Sequence, residues 1–155
     1  MTNPIKPAGG QPANLPAETS ATVNATAEAA RLRKTIALAE EAIRCAADHR
    51  SARHADGETE TETWARWNDA GEIEAAAKDC RKAARSALAG LKVFPDLWSA
   101  EKVTGAIEEA RAKALGLKAI IDEAQRCNAN RQIRIFARQI AAAVAADRAN
   151  GGSSK

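Results

Sequence analysis

The stretch IEAAAKDCRKAARSALAGL, residues 73–91, decides the fold of this chain. Alanine gives up no side-chain entropy on entering a helix, so a run this rich in it favours helix. Ile73, Ala76, Ala77, Cys80, Ala84, Ala87, Leu88 and Leu91 recur at the three-to-four spacing that gathers them on one helix face. Lys78, Arg81, Lys82 and Arg85 collect toward the end, where cations suit the helix dipole. Upstream, Thr59-Glu60-Thr61-Glu62 reads as a capping box. The helix therefore spans Thr59 to about Leu91.

The same pattern extends in both directions. Before the Asp56-Gly57 turn, a helix is predicted over about 17–53, with Arg50 and Arg53 near its end. Leu32, Ile36, Ala39, Ile43 and Ala46 form one apolar stripe on it, and Leu38, Ala42 and Cys45 form a second. A helix that is apolar on two sides needs neighbours on two sides. After a turn at 90–95, Asp96 or Ser99 can cap a third helix carrying Val103, Ile107, Ala110, Ala114, Leu117, Ile121 and Ala124. Asn128-Ala129-Asn130 reads as its break, which leaves a shorter fourth helix over about 131–149. Residues 1–17 hold four of the five prolines and read as a flexible arm. Residues 150–155 read as a flexible tail. The expectation is one all-α domain over 18–149: an antiparallel helical bundle of three long helices and a shorter C-terminal one.

Composition narrows the function classes. About a quarter of the residues are alanine, while Leu, Ile, Val and Phe together reach only about 15%. A core built from so few bulky side chains is thin, and long helices completed by neighbours fit it. The net charge of +3 is too small to argue for disorder. Cys45, Cys80 and Cys127 are an odd, scattered set with no CxxC spacing, so no disulfide framework is expected. No apolar run approaches the length of a membrane span, and MTNPIKPAGGQPANLP lacks the apolar core of a signal peptide. A reducing compartment is expected, cytoplasmic or virion-associated.

Four constellations carry chemistry. Trp64 and Trp67 lie nearly opposite the Ile73–Leu91 face, beside Gly71 and Ala75. There they form a docking patch for a protein partner or another copy, unless Asn68–Gly71 breaks the helix and returns the rings to the core. Trp98, beside Phe94, reads as a cap on the end of the core. Arg131, Arg134 and Arg138 share one face of the fourth helix, opposite Ile133, Phe136, Ile140 and Val144. Such a stripe is a solvated face, a phosphate track, or a contact to an acidic protein surface. The acids of 56–62, in this chain or a neighbour, are one such surface, and Ile135 among the arginines favours a buried contact. Cys45 and His49 share a helix face at metal-ligand spacing, with Cys127 brought near by an up-down bundle, yet no fourth ligand is apparent and no metal is expected.

Catalysis has little to work with. The chain has no tyrosine and two histidines, His49 and His54, close together at one helix end. No glycine-rich phosphate loop follows a strand, and the Glu40-Glu41 and Glu108-Glu109 pairs lack the Glu-x-x-His pattern of di-iron bundles. No cofactor is expected. The leading expectation is a non-enzymatic assembly or interaction protein that self-associates, in the form of a bacterial or phage structural component. The alternatives are a small nucleic-acid-associated regulator using Arg131, Arg134 and Arg138, helped by Arg31, Arg33 and Lys34, and a small inhibitor of a host or rival protein.

Overall fold

The computed structural model describes the backbone of residues 5–93 and 101–153, and the side chains of residues 25–92 and 103–151. Among the described residues there is no strand. Helix α1 spans Ile5–Ser51, α2 spans Glu60–Val93 and α3 spans Glu101–Ser153. The three helices pack together to form an all-helical fold.

Two of these bounds depart from the sequence reading. Helical backbone begins at Ile5 rather than near residue 17, although Pro7, Pro12 and Pro16 supply no backbone N–H. Helix α3 is unbroken across Asn128–Asn130, so the shorter fourth helix is the second half of α3, and Gly151 continues it. Asparagine is a weak helix former, but its penalty is below 1 kcal/mol or so, far less than proline's ~3. Here Asn128 Oδ1 also accepts a hydrogen bond from Arg131 Nη1 at 3.3 Å. Phe94, Trp98 and the caps assigned to Asp96 and Ser99 lie outside the described residues.

The packing falls into two compact units, each built from a piece of every helix. The first joins α1 up to Glu40 with residues 79–114. Its core is apolar: Leu32 from α1, Ala84, Ala87 and Leu91 from α2, and Val103, Ile107 and Ala110 from α3. Alanine at the α2 positions lets backbones approach closely. Gly90 gives α2 similar room, with Val103 Cγ2 3.9 Å from where a Cβ would stand. Arg85 pairs with Glu40 at 2.9 Å, and Arg111 pairs with Glu28, at the edges of this core.

The second unit joins residues 41–78 with α3 from Leu115 onward. Ala42, Ala46, Ala70, Ala77 and Leu117 are buried in it. So are Glu58, Glu62, Arg66 and Arg131, which no purely apolar core would admit. The loop between α1 and α2 explains part of this. Gly57 adopts φ +82°, the left-handed conformation that glycine tolerates best. The tight turn is closed by Glu58 N–H donating to Ala55 O at 2.9 Å. Thr59 Oγ1 then caps α2 by accepting from the Glu62 N–H at 3.2 Å.

Candidate functional site

Three arginines organise the second unit. Arg66, on the first turns of α2, is buried between a carboxylate and backbone carbonyls. Its Nε donates to Glu58 Oε1 at 3.1 Å, and its Nη1 donates to the carbonyls of His49 and, at 3.4 Å, Ala52. Those carbonyls belong to the end of α1, where the helix leaves acceptors without intrahelical donors. One guanidinium thus ties the end of α1 to the start of α2. Glu58 is held by the Ala55 N–H at 2.9 Å as well as by Arg66. Burial pushes its carboxyl up, but that amide and the guanidinium together hold it below its ordinary value of 4.5.

Arg131 and Arg138 do the same work between α2 and α3. Arg131 is only 3% exposed, and its Nη2 meets Asp69 Oδ2 at 3.1 Å. Arg138 donates through Nη2 to both oxygens of Glu62 and through Nε to Gly57 O at 2.6 Å. Arg134 stands at 4.0 Å from the same Glu62. Gln139 adds a hydrogen bond to Asp56 O at 2.7 Å. Ile135, among these arginines, is 3% exposed, and its carbonyl oxygen lies 3.3 Å from where a Cβ on Gly57 would stand. Arg131 and Arg138 of the stripe therefore turn to carboxylates of the same chain, while Arg134 stays exposed beside Glu62. Of the capping box, the Thr59 half is present, while the Glu62 carboxylate is turned to Arg138.

The apolar side of this helix segment faces outward. Ile133 is 67% exposed, Phe136 62%, and Ile140 and Val144 nearly half. Residues 140–148 of α3 are all exposed. The inward face keeps one phase along α3, through Val103, Ile107, Ala110, Ala114, Leu117, Ile121, Ala124, Asn128, Arg131, Ile135 and Arg138, at alternating four and three spacing. From Asn128 the chemistry on that phase becomes mostly polar, and the large apolar residues move to the opposite side.

Trp64 and Trp67 form a second exposed apolar feature, at 56% and 41%. Helix α2 runs unbroken through Asn68–Gly71, so the rings stay off its packed face. They contact each other edge to face, centroids 5.6 Å apart and planes at 67°, a favoured aromatic geometry. Glu62 and Asp69 reach α3 from one side of α2; the helical phase of the tryptophans puts them on another side.

The thiols and hollows offer little chemistry. Burial, then Glu41, pushes the exposed Cys45 thiol up; burial, then Glu123, does so for Cys127; burial does so for Cys80 against a small opposing effect of Lys113. A raised thiol is a poor nucleophile and a poor metal ligand. Cys45 and Cys127 each donate weakly to a glutamate of the same helix at 3.5 Å. Among the described residues no group of three or more His, Cys, Asp or Glu is placed to hold a metal ion. A hollow of about 240 Å³ in each unit is lined by surface side chains, Asp69, Glu72 and Glu123 in one and Asp79, Lys82 and Lys113 in the other.

The sequence brings forward Trp64, Trp67, Arg131, Arg134, Arg138 and the acids of 56–62, but not Arg66 or Asp69 as partners. Arg66 carried one usable signal: a cation between two tryptophans, eight residues after Glu58 and four after Glu62, inside a segment otherwise acidic. No helix of the described residues is long and apolar enough to cross a membrane. No protein-family model matches the chain, and no curated protein or solved structure matches it at a significant level.

Proposed function

We propose that this chain is a non-enzymatic helical assembly protein that self-associates. The observation that carries the reading is the Trp64–Trp67 pair, stacked edge to face at the surface of a rigid helix with both rings exposed. Tryptophan is one of the residues enriched at the energetic centres of protein–protein contacts, where a large ring buries much area. The thin apolar core supports the same reading, because burial on a neighbour adds what the chain itself lacks. A bacterial or phage particle component is its concrete form, suggested by the alanine and arginine bias. Residues 5–17 enter this reading as the loosest stretch of α1, since Pro7, Pro12 and Pro16 weaken its hydrogen-bond ladder.

Sedimentation velocity at micromolar concentration tests the reading. Wild type is expected as a species larger than the monomer, and Trp64→Ala with Trp67→Ala is expected to reduce its mass with helicity unchanged. A well-folded monomer at every concentration overturns it. The nucleic-acid reading has less support, because Arg131, Arg134 and Arg138 face Asp69 and Glu62 of the same chain and Arg31 pairs with Glu28 at 2.9 Å. An inhibitor of another protein would use the same tryptophan surface, and a captured partner in place of a second copy would distinguish it.

A further inference from the structure

The outward face of α3 carries a seam of its own. Ala129, Ile133, Phe136, Ile140 and Ala143 alternate at spacings of four and three, the repeat of a coiled-coil core, and all five are exposed. Val144 flanks the seam. The opposite face of the same helix segment is fully engaged through Arg131, Ile135 and Arg138. We propose that this seam docks against the same seam of a second copy of the chain, with the two α3 helices antiparallel. The inference rests on the self-association reading but uses a different surface from the tryptophans.

The flanks fit a second copy. The positions beside the seam are Asn130, Gln132, Ala137, Gln139, Val144 and Ala146, with no charge among them. Flanking charges normally set partner choice in a coiled coil, and like charges there would repel an identical helix. This helix presents none. The seam from Ala129 to Val144 is about 24 Å long at 1.5 Å per residue and about one helix diameter, ~10 Å, wide. That footprint, about 240 Å², is within the size of apolar patches on ordinary monomers, so the four-and-three repeat rather than the area marks the seam.

Charge at the two ends selects the direction. Arg126, which also pairs with Glu123 of its own helix, and Asp147 continue the seam by seven residues beyond Ile133 and Ile140. A parallel pair in register would set Arg126 on Arg126 and Asp147 on Asp147. An antiparallel pair centred near residue 138 sets Ile133 opposite Ala143 of the second copy and Phe136 opposite its Ile140. It also brings Arg126 within one helical turn of Asp147 of the second copy at both ends. Opposite charges meet, and like charges are separated by most of the seam.

Sedimentation velocity on the full chain tests the proposal. Phe136→Glu with Ile140→Glu is expected to weaken association by about tenfold or more, with unchanged helicity because both side chains are exposed. Ile133→Glu alone is expected to weaken it too. Adding Ala143→Lys is expected to restore it, since the antiparallel register faces each Glu with a Lys. Association that survives Phe136→Glu with Ile140→Glu overturns the seam; if Trp64→Ala with Trp67→Ala then abolishes it, self-association stands without the seam. Failure of Ala143→Lys to restore association overturns the antiparallel register. Wild type that stays monomeric at every concentration overturns both proposals together.

Discussion

The two units solve the same packing problem with opposite chemistry. In the first, Leu32, Leu91, Val103 and Ile107 meet around small alanines, and ion pairs such as Arg85–Glu40 stay at the edge. In the second, Arg66, Arg131, Glu58 and Glu62 take much of the inside, and Ile133, Phe136 and Ile140 take the outside. Both share the same three helices and an unbroken packing phase on α3. The difference lies in what each unit gives up. The first spends its large apolar residues on its own stability. The second adds charged pairs to a small apolar interior and leaves Ile133, Phe136 and Ile140 exposed.

That contrast is most directly broken at Glu58. Its carboxylate is the buried counter-ion of Arg66, with both side chains almost fully enclosed. Glu58→Ala leaves the guanidinium without its charge partner, and a loss of about 3–5 kcal/mol is expected in a urea melt. Unfolding should begin where α1 meets α2, seen as loss of amide protection around residues 49–66 before residues 84–91. A loss below about 1 kcal/mol would show that this pair is not what holds the second unit.

In the first unit the corresponding break is Leu91→Ala, which removes a buried side chain with no charge at stake. About 2–5 kcal/mol is expected, mostly from lost burial and the cavity left behind. The two variants should also respond differently to pH. Removing Leu91 leaves the acid limb of the stability profile in place, whereas Glu58→Ala flattens it.

The acid limb is the smallest effect and sharpens the comparison. The folded-state pKa of Glu58 is lowered, so its contribution is fully present above the unfolded value near 4.5. It is lost as pH falls through the lowered folded value. Wild-type stability should therefore decline below about pH 4.5, and the decline should be shallower in Glu58→Ala. Equal slopes in the two proteins would remove Glu58 as its source.

Much of the architecture was legible in the residues. The faces read for α2, and for α3 as far as Ala124, are the faces that pack, because apolar spacing and burial there answer to the same constraint. From Asn128 onward the sequence was legible only in part: a buried Ile135 and arginines meeting the acids of 56–62 could be read from it, the unbroken helix could not. Two asparagines in an otherwise overlong helix read as its end, and the apolar residues shift to another side there. The shift marks a change in what the inward face is made of. Local spacing locates an apolar face, but it does not say whether that face turns in or out. Arg66 went unread for a related reason: its partners are the carbonyls of His49 and Ala52 and the Glu58 carboxylate, which only the turn at Gly57 brings together.

The sequence by itself determined that this chain is helical, where its α1–α2 turn falls, and that the two tryptophans leave the packed face if α2 is unbroken. Each of those follows from interactions within a few residues: alanine propensity, glycine at a positive φ, a threonine cap, and helical phase. Only the tertiary structure decided that Arg131 and Arg138 point inward and Ile133 and Phe136 outward. That choice depends on Asp69 and Glu62, 62 and 76 residues away in the chain, whose carboxylates compensate the burial of the arginines and leave the apolar side of α3 exposed.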